Sequence, residues 1–151
     1  MLEDTDITRF LEAQNAPYYG SYQQALLEVK NGKKTTHWIW YIFPQLRCLG
    51  RSITALYYGV ADRAEAKRYI EHPILCERLR EITEALLTHK GRDVSEIFGD
   101  LDAVKVRSSM TMFDSLSAND LFGDVLDVFY NGERCALTQK ALLQERNNFE
   151  L

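Results

Sequence analysis

Apolar residues recur along most of this chain at the three- and four-residue spacing that places them on one face of an α-helix. The clearest stripe consists of Leu75, Leu79, Ile82 and Leu86. Pro73 takes the favoured first position of that helix, and Gly91 follows its basic end. No segment shows the two-residue alternation of a half-buried strand. The pattern therefore predicts an all-α fold, a single irregular multi-helical domain of about seven to nine helices.

Start and stop signals set the predicted helix boundaries. They predict helices at about residues 5–14, 18–30, 62–71, 73–90, 101–116, 121–130 and 136–145, and a short apolar turn at 94–98. The second helix starts one turn later if Ser21 and Gln24 form a capping box. Residues 46–59 are predicted to be irregular, with Tyr57 and Tyr58 in a loop. We expect one domain over residues 1–151, with a helical core at about 5–145 and a short polar C-terminal tail.

Residues 36–46, which we call the aromatic segment, hold the densest group of aromatic side chains. The segment contains His37, Trp38, Trp40, Tyr41 and Phe43, including both tryptophans of the chain. Pro44 disfavours helix at the residue before it, so a short helix is predicted to end by Ile42. Exposed aromatic patches of this size are uncommon on soluble monomers. The segment is therefore either part of the core or a binding surface.

Polar groups in and beside the aromatic segment keep the binding interpretation open. His37, Gln45 and Arg47 carry hydrogen-bonding groups beside the rings. Aromatic walls with a few convergent polar groups are the usual form of a small-ligand site. The competing interpretation is that the aromatics are core residues, because aromatic side chains bury large areas.

A second informative stretch, residues 101–116, is predicted to be a helix with apolar residues on two nearly opposite sides. The two stripes are Ala103, Val106, Met110 and Phe113, and Leu101, Val104, Ser108 and Met112. Such a helix is expected to be buried. Arg107 must then pair with a carboxylate or face an anion in a cleft, since an unpaired buried charge costs several kcal/mol.

The two cations of this stretch, Lys105 and Arg107, point about 200 degrees apart in a regular helix. They converge on one ligand only if the helix begins after Lys105. In that case the helix N-terminus, Arg107, Ser108 and Ser109 would form an anion site.

Composition excludes several classes of protein. The net charge of -4 argues against general nucleic-acid binding, which needs a basic face. No apolar run approaches the roughly 20 residues of a membrane helix. The three cysteines are odd in number and far apart, which favours reduced thiols in the cytoplasm. No metal-ligand spacing and no cofactor-binding glycine loop is present, so no metal and no cofactor is expected.

Several stretches occur together in an order that resembles one known family. They are HWIWYIFPQLR at 37–47, LGRS at 49–52, YG at 58–59, HPIL at 72–75, IFG at 97–99 and RSSMTMF at 107–113. These resemble the DUF1810 family, from about Phe10 to the last helix, with Val106 and Met112 where leucine is common. The resemblance implies a small, mainly bacterial, helical domain and no established activity. Some members carry a calpastatin label, but nothing in this sequence supports protease inhibition.

Two functional hypotheses follow. In the first, a small anionic metabolite, such as a nucleotide, binds between the aromatic segment and the Arg107 helix, in a hydrolase or transferase with His37 as general acid or base. The ligand contacts would be Trp38, Trp40, Tyr41, Gln45, Arg47, Lys105, Arg107, Ser108 and Ser109. The second is a non-catalytic protein-interaction domain in which the aromatic and arginine residues are structural.

Overall fold

The structure, a computed structural model, describes residues 6–16 and 20–150, with side chains as far as residue 147. These parts of the chain form ten α-helices. They are α1 (Thr8–Gln14), α2 (Tyr22–Asn31), α3 (Ile39–Ile42), α4 (Ile53–Tyr58), α5 (Arg63–Glu71), α6 (Pro73–Leu87), α7 (Val94–Phe98), α8 (Asp100–Asp114), α9 (Leu121–Tyr130) and α10 (Ala136–Glu150). A 3-10 turn, Arg47–Leu49, precedes α4. Within the described ranges the only strand-like pairing is an isolated bridge between Leu46 and Val60. The predicted all-α class is confirmed.

Side-chain caps explain where several helices begin. The Ser21 hydroxyl accepts a hydrogen bond from the backbone N–H three residues later, so α2 has the later of its two predicted starts. The Asp62 carboxylate caps α5 in the same way. The Nδ1 atom of His72 accepts hydrogen bonds from two backbone N–H groups of α6, whose first residue is Pro73. The predicted first residue of α1, at position 5, and the earlier predicted start of α2, at position 18, lie outside the described residues.

Helix α4 occupies part of the stretch that was predicted to be irregular. The Ser52 hydroxyl accepts a hydrogen bond from the backbone N–H three residues later and caps the helix. Tyr57 and Tyr58 therefore lie in its last turn, and their prediction as a loop is wrong. Gly59 follows and packs so closely on the 3-10 turn that an added Cβ would be 2.4 Å from the Cα of Arg47. Six residues are too few for a helical period to stand out in the sequence.

Helix α8 is the central helix of the fold and contacts α3, α5, α7, α9 and α10. Its first predicted stripe is buried along its whole length. The second is buried only at Ser108 and Met112, because Leu101 and Val104 are 79% and 52% exposed. The expectation of a helix buried on two sides therefore applies only to the second half of α8.

The rest of the core is built around α6, which contacts α2, α5 and α9. Its predicted stripe is buried at every position. Aromatic rings connect this layer to α8: Tyr69 of α5 contacts Phe113, and Phe113 contacts Phe122 of α9, at centroid distances of 5.4 and 5.7 Å. The last helix, α10, packs on α8 and continues to Glu150, beyond its predicted end at residue 145.

A buried ion pair joins α1 to α5. The Arg9 guanidinium and the Glu65 carboxylate form two hydrogen bonds, at 2.7 and 3.1 Å, and both side chains are buried. The other three Arg9 donors reach the backbone carbonyls of Asp6, Tyr57 and Gly59. All five N–H donors of the guanidinium are therefore used, which makes Arg9 a structural residue.

Candidate functional site

The aromatic segment lies partly in the core and partly at the surface. Trp38 is fully buried and packs against Phe43 and Phe98. His37, immediately before it, is exposed, and Trp40 is half-buried. Trp38 therefore contributes to core packing and presents no surface to a ligand in this conformation.

A buried carboxylate, Glu28 of α2, fixes the chain that leads into the aromatic segment. Its oxygens accept five hydrogen bonds of 2.6–3.0 Å, from Gln24 Nε2, the backbone N–H groups of Thr35 and Thr36, the Thr36 hydroxyl and Trp38 Nε1. Burial opposes ionisation of this carboxyl, but the hydrogen bonds outweigh burial and lower its pKa from 4.5 to about 2. Glu28 thus holds Trp38 and the preceding loop in place. Nothing in the sequence separates this glutamate from the exposed glutamates of other helices.

Tyr41, a second predicted wall residue, is held at the edge of the segment. Its hydroxyl donates a hydrogen bond to the carbonyl of Gly20 at 2.6 Å, and its ring contacts Tyr58 of α4 at a centroid distance of 5.0 Å. Burial, with the neighbouring Tyr58, raises the pKa of Tyr41 to about 12. The Tyr41 hydroxyl therefore stays protonated at neutral pH.

Three predicted site residues, Trp40, Gln45 and Lys105, border one small cavity between the aromatic segment, α4 and α8. Its volume is about 10 Å³, which is about the space of one water molecule. The Lys105 ammonium pairs with the Asp102 carboxylate at 3.1 Å. Arg47 lies in the 3-10 turn beside this region and is half-buried. The aromatic segment and α8 are neighbours, but the space between them is too small for a metabolite.

Arg107 lies apart from this cavity. Because α8 begins at Asp100, Lys105 and Arg107 both stand inside a regular helix and point in different directions. The condition for an anion site at a helix N-terminus is therefore not met. The Arg107 side chain is 31% exposed, and it pairs at 3.9 Å with Glu133, whose side chain is largely exposed. The small cavity is bordered by neither His37 nor Arg107.

The two predicted serines of α8 are enclosed by protein. The Ser108 hydroxyl hydrogen-bonds to the backbone carbonyl of Val104 at 3.2 Å and to Cys135 Sγ at 3.3 Å. Ser109 is fully buried, and its hydroxyl has no hydrogen-bond partner among the described residues. Neither serine borders the small cavity.

A much larger space opens between α5, α8 and α10, and we call it the groove. Its volume is about 1030 Å³. The lining residues are Arg63, Thr111, Asp114, Ser115, Arg134, Gln139, Leu142, Leu143, Glu145 and Arg146. Neither His37 nor Arg107 is among them. The lining combines guanidinium groups and hydroxyls with two leucines, which are the components of a site for an amphipathic anion.

One wall of the groove is a fixed arginine. Arg134 donates hydrogen bonds to the carbonyl of Gly132 at 2.8 Å and to the Asp114 carboxylate at 3.2 Å, and it lies 3.8 Å from the carboxylate of Asp127.

The Asp114 carboxylate packs against Gly123 of α9, where an added Cβ would be 2.7 Å from Asp114 Oδ1. Glycine within a helix is less stable than alanine by about 0.5–1 kcal/mol. The close approach of the Asp114 carboxylate explains why glycine occupies position 123.

The start of α10 is anchored to α8. The backbone N–H of Cys135 donates to the Thr111 hydroxyl at 2.9 Å, and Thr111 donates to the carbonyl of Arg107 at 2.7 Å. Burial raises the pKa of the Cys135 thiol, but hydrogen bonds from Ser108, Thr138 and nearby backbone N–H groups more than offset this effect, and the pKa is lowered from 9.0. The hydrogen bond from the Cys135 backbone to Thr111 therefore fixes the near end of α10 beside the groove.

Glu145, near the far end of α10, connects this helix to α5 beside the groove. Its carboxylate accepts a hydrogen bond from the backbone N–H of Arg63, the first residue of α5, at 3.1–3.2 Å. The Arg63 guanidinium reaches the carbonyl of Ser115 at 3.5 Å. Arg63 and Glu145 thus connect the two walls of the groove.

No metal site was found in the described residues, where no group of three or more His, Cys, Asp or Glu side chains could hold an ion. In the same parts of the chain, every helix is too short or too polar to span a lipid bilayer.

The groove could not be predicted from the sequence, because its lining comes from separate segments of the chain. Arg63 follows the Asp62 cap, Arg134 lies in the connection between α9 and α10, and Arg146 lies where a polar tail was predicted. Thr111, Asp114 and Ser115 lie in the second informative stretch, but none of them was predicted to contact a ligand. Arginines spread over 84 positions give no local signal, and only the packing of α10 on α8 brings them together.

The fold and the groove define a small all-α protein with a polar, partly cationic surface groove. It belongs to the DUF1810 family, a family of unknown function whose model matches residues 4–142. A similar solved structure is that of the conserved hypothetical protein Rv1873 from Mycobacterium tuberculosis, with 39% sequence identity and a TM-score of 0.86. The similarity covers 92% of this chain and 97% of that one. No curated protein matches this chain.

Proposed function

We propose that this protein binds a small anionic metabolite, such as a nucleotide, in the groove between α5, α8 and α10. The observation that carries the proposal is a groove of about 1030 Å³ with three arginines in its lining. Ligand sites commonly have volumes of roughly 300–1,000 Å³, so the groove is large enough for a nucleotide-sized molecule.

The charge balance of the groove supports an anionic ligand. Three arginines and two carboxylates line it, which gives a formal net charge of +1, whereas the whole chain carries -4. Asp114 lies against Arg134 and offsets its charge, so Arg63 supplies the positive charge that a ligand would meet. Thr111 and Ser115 add hydroxyls, and Leu142 offers an apolar contact.

This location differs from the one expected from sequence. The space between the aromatic segment and α8 measures about 10 Å³, two orders of magnitude less than the groove. The proposal therefore moves the ligand to the α10 side of α8 and covers binding alone. A hydrolase or transferase activity with His37 as acid or base stays a prediction from sequence, and His37 does not border the groove.

A thermal-shift screen tests the proposal. The panel consists of pyrophosphate, nucleoside mono-, di- and triphosphates, and sugar phosphates. A ligand at 100 times its dissociation constant stabilises the folded state by about 2.7 kcal/mol. For a domain of this size that amounts to a rise in Tm of about 5–10 °C. No shift with any member of the panel would contradict the proposal and favour the non-catalytic interaction domain.

Three variants locate the ligand. Arg63→Ala is expected to weaken binding of an active compound about tenfold or more, because it removes a cation from the groove. Arg51→Ala removes an exposed arginine that does not line the groove, and it should leave binding unchanged. If Arg107→Ala abolished binding while Arg63→Ala did not, the ligand would occupy the site that was predicted from sequence.

A further inference from the structure

We infer that the outward face of the first half of α8 binds a second copy of this chain, in a two-fold symmetric dimer whose α8 helices run antiparallel. This surface, which we call the α8 face, consists of Asp100, Leu101, Val104 and Arg107. None of the four residues lines the groove, so the inference goes beyond the proposed ligand site and does not depend on it.

The apolar part of the α8 face is the pair Leu101 and Val104, which are 79% and 52% exposed. The side chains on the opposite side of the same turns, Ala103 and Val106, are buried in the core. Single exposed apolar side chains are common on protein surfaces, so this pair alone does not identify a partner. The charged residues at its two ends do.

A negative and a positive charge flank the apolar pair. Asp100 and Arg107 are seven residues apart, which places them about 20 degrees apart around the helix axis and about 10 Å apart along it. They therefore lie on the same side of α8, at opposite ends of the face. A two-fold axis perpendicular to α8 would bring the carboxylate of each copy to the guanidinium of the other. Parallel helices would instead bring like charges together. The α8 face is thus complementary in charge to itself in the antiparallel arrangement.

The two charged groups are not satisfied within their own chain. Among the described residues, the Nε atom of Arg107 has no hydrogen-bond partner. Its Nη1 atom lies 3.9 Å from the Glu133 carboxylate, which is beyond hydrogen-bond distance. Asp100 is exposed, and it forms no ion pair within the described parts of the chain. A carboxylate of the second copy would give the exposed end of the Arg107 guanidinium a charge-assisted hydrogen bond.

The small size of the α8 face predicts a weak dimer. Each copy contributes two apolar side chains and one residue to each of two ion pairs. Interfaces that bury less than about 1,200 Å² are typical of transient complexes. We therefore expect a dissociation constant on the order of 100 μM.

The test uses two charge-reversal variants, Asp100→Arg and Arg107→Asp, and measures association by sedimentation equilibrium between about 10 and 500 μM. Each variant alone places like charges opposite each other at both ends of the interface, so its dissociation constant should rise at least about tenfold. An equimolar mixture of the two variants should associate again, because both ends of the mixed dimer then carry opposite charges. Recovery on mixing also shows that both variants are folded.

Val104→Ser tests the apolar part of the face. Leu27→Ser is the matched control, because Leu27 of α2 is 53% exposed and lies outside the α8 face. We expect Val104→Ser to weaken association about tenfold and Leu27→Ser to leave it unchanged. A chain that stays monomeric at about 500 μM would overturn the inference. So would a dimer that is unaffected by both charge reversals, a mixture that associates no better than its components, or equal effects of the two serine substitutions.

Discussion

At the scale of single residues, the completeness of hydrogen bonding distinguishes charged side chains with a structural role from those that a ligand could reach. Arg9 uses all five guanidinium donors and is buried with Glu65. Arg107, which the sequence offered as either a buried pair or a ligand contact, is partly exposed and pairs at 3.9 Å with Glu133. The buried structural arginine is therefore in α1, at a position where the pattern gave no reason to expect it.

This difference predicts unequal costs of removing the two arginines. Arg107→Ala should lower the free energy of unfolding by less than about 1 kcal/mol, as for other exposed ion pairs. Arg9→Ala should lower it by about 3–5 kcal/mol, because it leaves the Glu65 carboxylate buried without its cation. Urea denaturation of both variants measures the two values. Equal effects would mean that burial does not decide the role of these residues.

Glu28 predicts a specific dependence of stability on pH. Its folded-state pKa of about 2 lies below the ordinary value of 4.5. A lowered carboxyl pKa contributes stability that is present above pH 4.5 and is lost as the pH falls towards 2. For these two pKa values, the free energy of unfolding falls by about 2 kcal/mol between pH 6 and pH 3. Glu28→Gln should be less stable than the unmodified chain at pH 6 and should lose about 2 kcal/mol less on acidification. Denaturation curves at both pH values test this, and parallel losses in the two proteins would contradict it.

At the scale of elements, local signals explain why most of the helices could be predicted. Helix starts are marked by the capping side chains of Ser21 and Asp62 and by Pro73 at the first helical position. The apolar stripe of α6 is fully buried, as its helical period indicated. The short helix α4 was missed because six residues show no clear period. The groove was missed for a different reason: its lining depends on how α10 packs on α8, and no local pattern encodes that packing.

Helix α9 contains a buried glycine, Gly123, in its first turn, and its role can be tested by a double-mutant cycle. Alanine at an exposed helix position stabilises by about 1 kcal/mol over glycine. Gly123→Ala should not show this gain, because its Cβ would displace the Asp114 carboxylate from Arg134. In an Asp114→Ala background the same change should recover a gain of about 1 kcal/mol. Thermal unfolding of the four proteins gives the coupling, and equal effects of Gly123→Ala in both backgrounds would show that Asp114 is not the obstacle.

At the scale of the whole molecule, stability is distributed unevenly. The second half of α8 is enclosed, with Met110 and Phe113 fully buried, and it contacts several helices. Helix α4 lies at the edge of the fold and exposes Ile53 and Leu56. Segments with few buried contacts open at lower free energy than the core does.

Hydrogen exchange should reveal this gradient. The backbone amides of α8 from residue 108 to 114 should exchange at least about 100-fold more slowly than those of α4, because they open only with the core. Mass spectrometry of peptides from the two helices measures the ratio. Comparable rates would mean that α4 unfolds together with the core, despite its exposed face.

The Arg9–Glu65 pair also has a consequence for shortened forms of the protein. The two residues are separated by 56 positions, so the N-terminal helix neutralises a carboxylate that is buried in a distant part of the chain. A protease cut after Arg9, or a deletion that includes it, would leave Glu65 without a counter-ion even though every other core helix remained. Any version of the chain that is trimmed for crystallisation or screening should therefore retain Arg9.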